Sequence, residues 1–117
     1  MLPSPNRFHG HNSLRYVYAN GKAIRTQALT LKSVKNDRRH QSRISVVVSK
    51  KVLKGAFGRN RIRRRVYEYV RQNLDRLNDV YDIVLIVTSP ELRTMPSEEL
   101  TALIEQVFER AELYKTV

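Results

Sequence analysis

Residues 79–89 read Asp-Val-Tyr-Asp-Ile-Val-Leu-Ile-Val-Thr-Ser, and five in succession, 83–87, are aliphatic. An extended segment alternates its side chains between two faces, so this run needs apolar cover on both. It predicts a central strand in a sheet covered above and below. No window reaches the ~20 apolar residues of a membrane span, so the cover comes from the chain itself.

The remaining apolar periodicities supply it. Ile62, Val66, Tyr69, Val70 and Leu77 form one stripe of a helix expected to run to about Leu77. A last helix buries Leu100, Leu103, Ile104, Val107, Phe108 and Ala111, with Ser97 expected as its cap and Glu98 and Glu99 at its positive end. A short first helix, capped by Asn12 or Ser13 and ended by Gly21, puts Leu14, Val17 and Tyr18 on one face. Residues 27–35 alternate as a strand, Leu29 and Leu31 on one side and Thr30 and Lys32 on the other. Residues 43–51 make a second, rich in β-branched residues. These two are expected to pair as a hairpin across the polar link 36–42. The order α-β-β-α-β-α describes an α+β sandwich on a small central sheet. It fits one domain, 1–117, with 1–11 as an irregular arm.

The charge is divided unevenly. Residues 1–71 hold 18 Lys and Arg against 2 acids, a net of +16; residues 72–117 hold 4 against 9, a net of −5. The total of +11 favours a polyanionic partner. Five arginines fall between 59 and 65 at the start of the second helix. Arg59 and Arg63 are four apart, as are Arg61 and Arg65, and like charges at that spacing repel. The cluster also sits where the helix dipole disfavours cations. Only Glu68 is placed to relieve it, by reaching Arg64 or Arg65. A phosphate backbone reverses every one of these terms, because helix N–H groups and arginine forks both bind it. Gly55 and Gly58 would let such a backbone approach. A membrane-surface helix fits less well, since the stripe is β-branched core material without Trp or Leu anchors.

The motif Ser-Lys-Lys at 49–51, a short glycine-containing link, and Arg-Asn-Arg-Ile-Arg-Arg at 59–64 resemble the protein subunit of bacterial ribonuclease P. The segment 6–22, the strand 81–87 and the last helix fall where that family places them, so the resemblance covers about residues 6–114. It implies an RNA catalyst that removes the 5′ leader of precursor tRNA with bound Mg²⁺ held mainly by RNA. The protein is then a cofactor, with ribonuclease P RNA and precursor tRNA as partners and no obligate protein partner. By position, Arg59, Asn60, Arg61, Arg63, Arg64 and Arg65 would contact the catalytic RNA. A cleft between the first helix and the sheet would hold the leader, walled by Leu14, Tyr18, Lys32, Ser49, Lys50 and Lys51, with Lys54 beside them. The family's fold also implies a left-handed β-α-β crossover. The chain departs from the family pattern at several places. Leu14 stands where an aromatic is common, the link 52–58 is one residue longer, Arg65 takes an apolar position, and Tyr67 replaces a basic residue. Residues 88–93 lack the usual basic pair.

The other polar residues point to no protein catalyst. His9 and His11 lack a third ligand for a metal. Asp79 and Asp82 read as turn and capping residues, and Arg38, Arg39 and Arg43 as solvated. No Ser-His-Asp set, phosphate loop or carboxylate pair can be assembled, so no catalytic or metal-ligating residue is assigned and the protein alone is expected to be inert. With no cysteine and no apolar leader, a cytoplasmic location is expected, without membrane attachment. The competing reading is a ribosomal or other structural RNA-binding protein without a part in tRNA processing.

Overall fold

The computed structural model describes residues 2–8 and 12–116. Three helices, α1 (Asn12–Asn20), α2 (Ala56–Asn73) and α3 (Ser97–Arg110), accompany four strands, β1 (Lys22–Arg25), β2 (Leu29–Lys35), β3 (Arg43–Val48) and β4 (Tyr81–Val87). The strands form one sheet in the order β1-β2-β4-β3. As its sequence requires, β4 is interior: it runs antiparallel to β2 and parallel to β3. The β3-α2-β4 unit is thus a crossover between parallel strands.

Two expectations change here. β2 and β3 do not pair with each other, because the doubly apolar β4 takes a neighbour on each edge and separates them. The hairpin partner of β2 is instead β1, a four-residue strand in register from Lys22↔Ser33 to Arg25↔Thr30.

The sheet has two unlike faces. Leu29, Leu31, Ile83, Leu85, Val87, Ile44, Val46 and Val48 point to one side, where they meet Ile62, Val66 and Val70 of α2 and Leu100, Ile104, Val107 and Phe108 of α3 in the main core. The opposite side carries the rows Lys32↔Val84↔Ser45, Thr30↔Ile86↔Val47 and Val34↔Asp82↔Arg43. α1 covers it over β2 and β4, and the N-terminal arm packs at the β3 side. Val17 and Val84 are both fully buried there. Gly21 permits the close approach: an added Cβ would lie 2.5 Å from the Val17 carbonyl and 3.3 Å from Lys32 Cβ.

Helix ends differ from the sequence reading in detail. α2 stops at Asn73 and continues as a 3-10 turn, Leu74–Arg76. Ser97 is the first residue of α3 rather than its cap; Pro96 holds the cap position without a side-chain bond. The other end of α3 is closed by hydrogen bonds from Glu112 N–H to the Glu109 carbonyl and from Leu113 N–H to the Phe108 carbonyl. This is the Schellman pattern, and it forces Glu112 to φ 60°.

Residues 2–8 of the arm are held in place. A 3-10 turn, Ser4–Asn6, follows buried Leu2, and Asn6 donates to the Ser42 carbonyl at 2.8 Å. Phe8 lies against the Arg43 guanidinium, 4.8 Å from its ring centre. Arg43 is not solvated: it is 3% exposed and forms a two-pronged ion pair with Asp82, at 2.9 and 2.6 Å. Asn36 adds a third hydrogen bond to that carboxylate.

Candidate nucleic-acid interface

β3 ends at Val48, and residues 49–53 turn away from the sheet, with the Ser49 carbonyl accepting from the N–H groups of Val52 and Leu53. Ser49, Lys50, Lys51 and Lys54 are all exposed. The chain then enters α2 through Gly55, whose Cα faces open space. The first turn of α2 carries neither a capping side chain nor an acid. Gly58 has a different role from the one expected: a Cβ there would meet Leu53 at 2.5 Å, so it seats the loop against the helix.

The structure sorts the arginines. Arg64 makes no hydrogen bond or ion pair among the described residues and stands in solvent. Arg63 donates to Asn60 Oδ1 at 2.7 Å, which fixes both side chains on the exposed face. Arg61 donates to the Arg93 carbonyl at 3.1 Å, and Arg59 to the carbonyls of Leu53 and Lys54. Each of these guanidiniums keeps further donors, since the group has five. Arg65 stands apart. It is half-buried and donates to the carbonyls of Leu92 and Met95, bracing the 3-10 turn Pro90–Arg93. Burial, and then the Arg61 charge, hold its guanidinium below the ordinary pKa.

No acid relieves this cluster. Glu68 turns to Arg71 at 2.6 Å and to Gln72, not back to Arg64 or Arg65. Among the described residues, no ion pair involves positions 49–65. Phe57, 79% exposed, stands one turn before Arg61 and was not singled out from sequence. The polar Tyr67 has a clear task, since its hydroxyl accepts from the Val46 N–H on the edge strand β3 at 3.0 Å.

The second surface is the sheet face beside α1. Tyr18, 38% exposed, receives the Lys32 ammonium 5.3 Å from its ring centre, and the same ammonium donates to the Tyr18 carbonyl at 3.0 Å. Partial burial raises the Tyr18 phenol pKa. Leu14 is half-buried on the same side of α1. Between α1 and the 49–51 turn runs the row Arg25, Thr30, Ile86 and Val47. Ile86 and Val47 are half-exposed along this row and form an open floor, and exposed Arg25 stands at its rim. The floor went unread because strands β3 and β4 look apolar on both sides; the alternation Ser45, Val47, Ser49 was its only sequence signal.

His9 and His11 lie outside the described residues. No group of three His, Cys, Asp or Glu among the described residues could hold a metal. Asp82 is taken by Arg43, and Asp79 by Lys35 at 3.0 Å and the Val80 N–H. No helix among the described residues is long and apolar enough to cross a membrane.

A family model described as Ribonuclease P matches residues 2–112. A ribonuclease P protein component of Pseudanabaena sp. is 40% identical over 89 residues, covering 76% of this chain and 77% of that protein. The one from Syntrophobacter fumaroxidans is 31% identical, covering 88% and 90%. In three dimensions the fold matches the RNase P protein of Staphylococcus aureus with a TM-score of 0.83 at 21% identity, covering 94% of this chain and 98% of that one. It matches the RNase P protein of Thermotoga maritima with a TM-score of 0.79 at 23% identity, covering 89% and 98%.

Proposed function

The chain belongs to the ribonuclease P protein family, and from that premise we propose that α2 docks on the catalytic RNA while the cleft beside α1 holds the 5′ leader of precursor tRNA. It is a protein component of ribonuclease P, a role in tRNA processing, and a ribosomal or other structural role is not favoured. The observation that carries the division of surfaces is the acid-free cluster at 59–65. A helix start with no cap, no carboxylate and several cations gains from phosphate what it lacks internally. Arg59, Asn60, Arg61, Arg63 and Arg64 form the docking face, and Arg65 supports it from behind.

The leader lies across Ile86 and Val47, with Tyr18 and Leu14 on one wall and Ser49, Lys50, Lys51 and Lys54 at the other end. A base stacks on Tyr18, and Lys32, held under that ring, keeps the platform in place. The protein forms one RNA-binding domain, acts in the cytoplasm, and cleaves nothing alone. It positions substrate and screens repulsion between two RNAs, while the Mg²⁺ of the holoenzyme is held mainly by RNA. Titrating catalytic RNA and precursor separately tests this. Arg64→Ala weakens assembly with the catalytic RNA, and Tyr18→Ala weakens precursor affinity with assembly intact. The reverse pattern overturns the assignment.

A further inference from the structure

A second groove lies on the far side of α1 from the Tyr18 cleft. On the helical wheel of α1, Leu14 and Tyr18 share one flank, and Ser13 and Tyr16 the other. Ser13 and Tyr16 face the end of β2 and the loop after it, enclosing an open cavity of about 950 Å³ with Val34, Arg38, Arg39 and His40 on its walls. Tyr16 is 56% exposed. Of the two acids that line the groove, Asp82 is taken up by Arg43, while exposed Asp37 lies at the edge of the Lys35–Asp79 pair, 3.8 Å from the ammonium, and is outnumbered by the cations around it. The guanidiniums of Arg38 and Arg39 have no partner among the described residues. An exposed ring beside unpaired cations is the arrangement that holds single-stranded nucleic acid, the ring by stacking and the cations by phosphate contact.

We propose that this groove binds upstream nucleotides of the same 5′ leader, after the strand has crossed α1. The inference rests on the reading of the Tyr18 cleft as the leader site. Position argues for the leader over the catalytic RNA. The docking helix α2 packs on the opposite face of the sheet. The groove also sits at the Arg43 end of β3, whereas the 49–51 turn and the arginine cluster sit beyond its Val48 end. Between the Tyr18 cleft and the Tyr16 groove stands only the thickness of one helix, about 10 Å. A few nucleotides of extended strand cover that distance, over exposed Arg15 and Ala19.

The test uses the reconstituted holoenzyme and two precursors, one with a leader that ends within the Tyr18 cleft and one with a longer leader. Tyr16→Ala, and separately Arg38→Ala with Arg39→Ala, should each weaken the long-leader precursor about tenfold, within the range of one base–aromatic stack. Neither should change the short-leader precursor, and Tyr16→Phe should retain the long-leader affinity. Equal losses for both precursors would assign the groove to another RNA contact and overturn the inference, as would no loss for either. Tyr18→Ala separates the two levels: it weakens both precursors if the cleft reading holds. If it weakens neither, that reading fails on its own, whatever Tyr16 shows.

Discussion

Replacing Arg65 by alanine separates the support of the docking face from the face itself. Its guanidinium donates to the carbonyls of Leu92 and Met95, and Leu92 is fully buried. Hydrogen bonds from charged donors contribute about 1.5–3 kcal/mol each, and partial exposure favours the lower end. Two such bonds come to about 3–4 kcal/mol. Relief of the Arg61–Arg65 repulsion returns a few tenths. The net loss should be about 3 kcal/mol, or roughly 10 °C in melting temperature for a domain this size. Arg64→Ala, with no internal contact to lose, should stay within about 0.5 kcal/mol of the parent. Urea unfolding followed by circular dichroism at constant salt gives both numbers. In RNA binding the order inverts: Arg64→Ala lowers the salt slope by about one unit. Under conditions where Arg65→Ala remains folded, that variant should leave the slope near the parent value. A stability loss below about 1 kcal/mol for Arg65→Ala, or a slope change equal to that of Arg64→Ala, would refute the sorting of these two neighbours.

Asp82→Ala strands the buried Arg43 charge and should cost about 3–5 kcal/mol in the same unfolding assay. Glu112→Gly removes a side chain from the left-handed position at φ 60° and should stabilise by about 1 kcal/mol, read as a rise in melting temperature. The hydroxyls of Tyr69 and Tyr114 bond each other at 2.7 Å, and burial raises both pKa values. The folded phenols therefore keep their protons above the ordinary value of 10.0, where the unfolded chain releases them. Their contribution should be complete below that pH and fall above it, by about 1.4 kcal/mol per pH unit for each phenol. A pH series of urea midpoints checks this, and Tyr69→Phe should make the fall shallower.

What the sequence revealed depended on how local the determinants are. The centrality of β4 follows from its own five aliphatic residues, and α2 and α3 from their own stripes. β1 escaped notice because Lys-Ala-Ile-Arg is short and only half-buried; its register comes from β2. The pairing of β2 with β4 is a property of three strands, so two of them read alone suggested a hairpin. Arg43 was misplaced in solvent because its partner Asp82 lies 39 residues away. Glu68 chose Arg71 for a local reason, since an acid pairs better with a base that follows it along a helix. Arg65 and Tyr67, which the resemblance reads as departures from the family pattern, each have a tertiary partner that sequence cannot show: Leu92 and Met95 for one, Val46 for the other. At the site, Tyr18 and Lys32 were legible as individual residues, but the floor of Val47 and Ile86 required the register.

The most direct test of the account is precursor-tRNA cleavage at low Mg²⁺ by a bacterial ribonuclease P RNA, with and without this protein. Strong stimulation that needs both components is expected, with no cleavage by the protein alone. Tight, salt-sensitive RNA binding without stimulation, or cleavage by the protein without RNA, would contradict it.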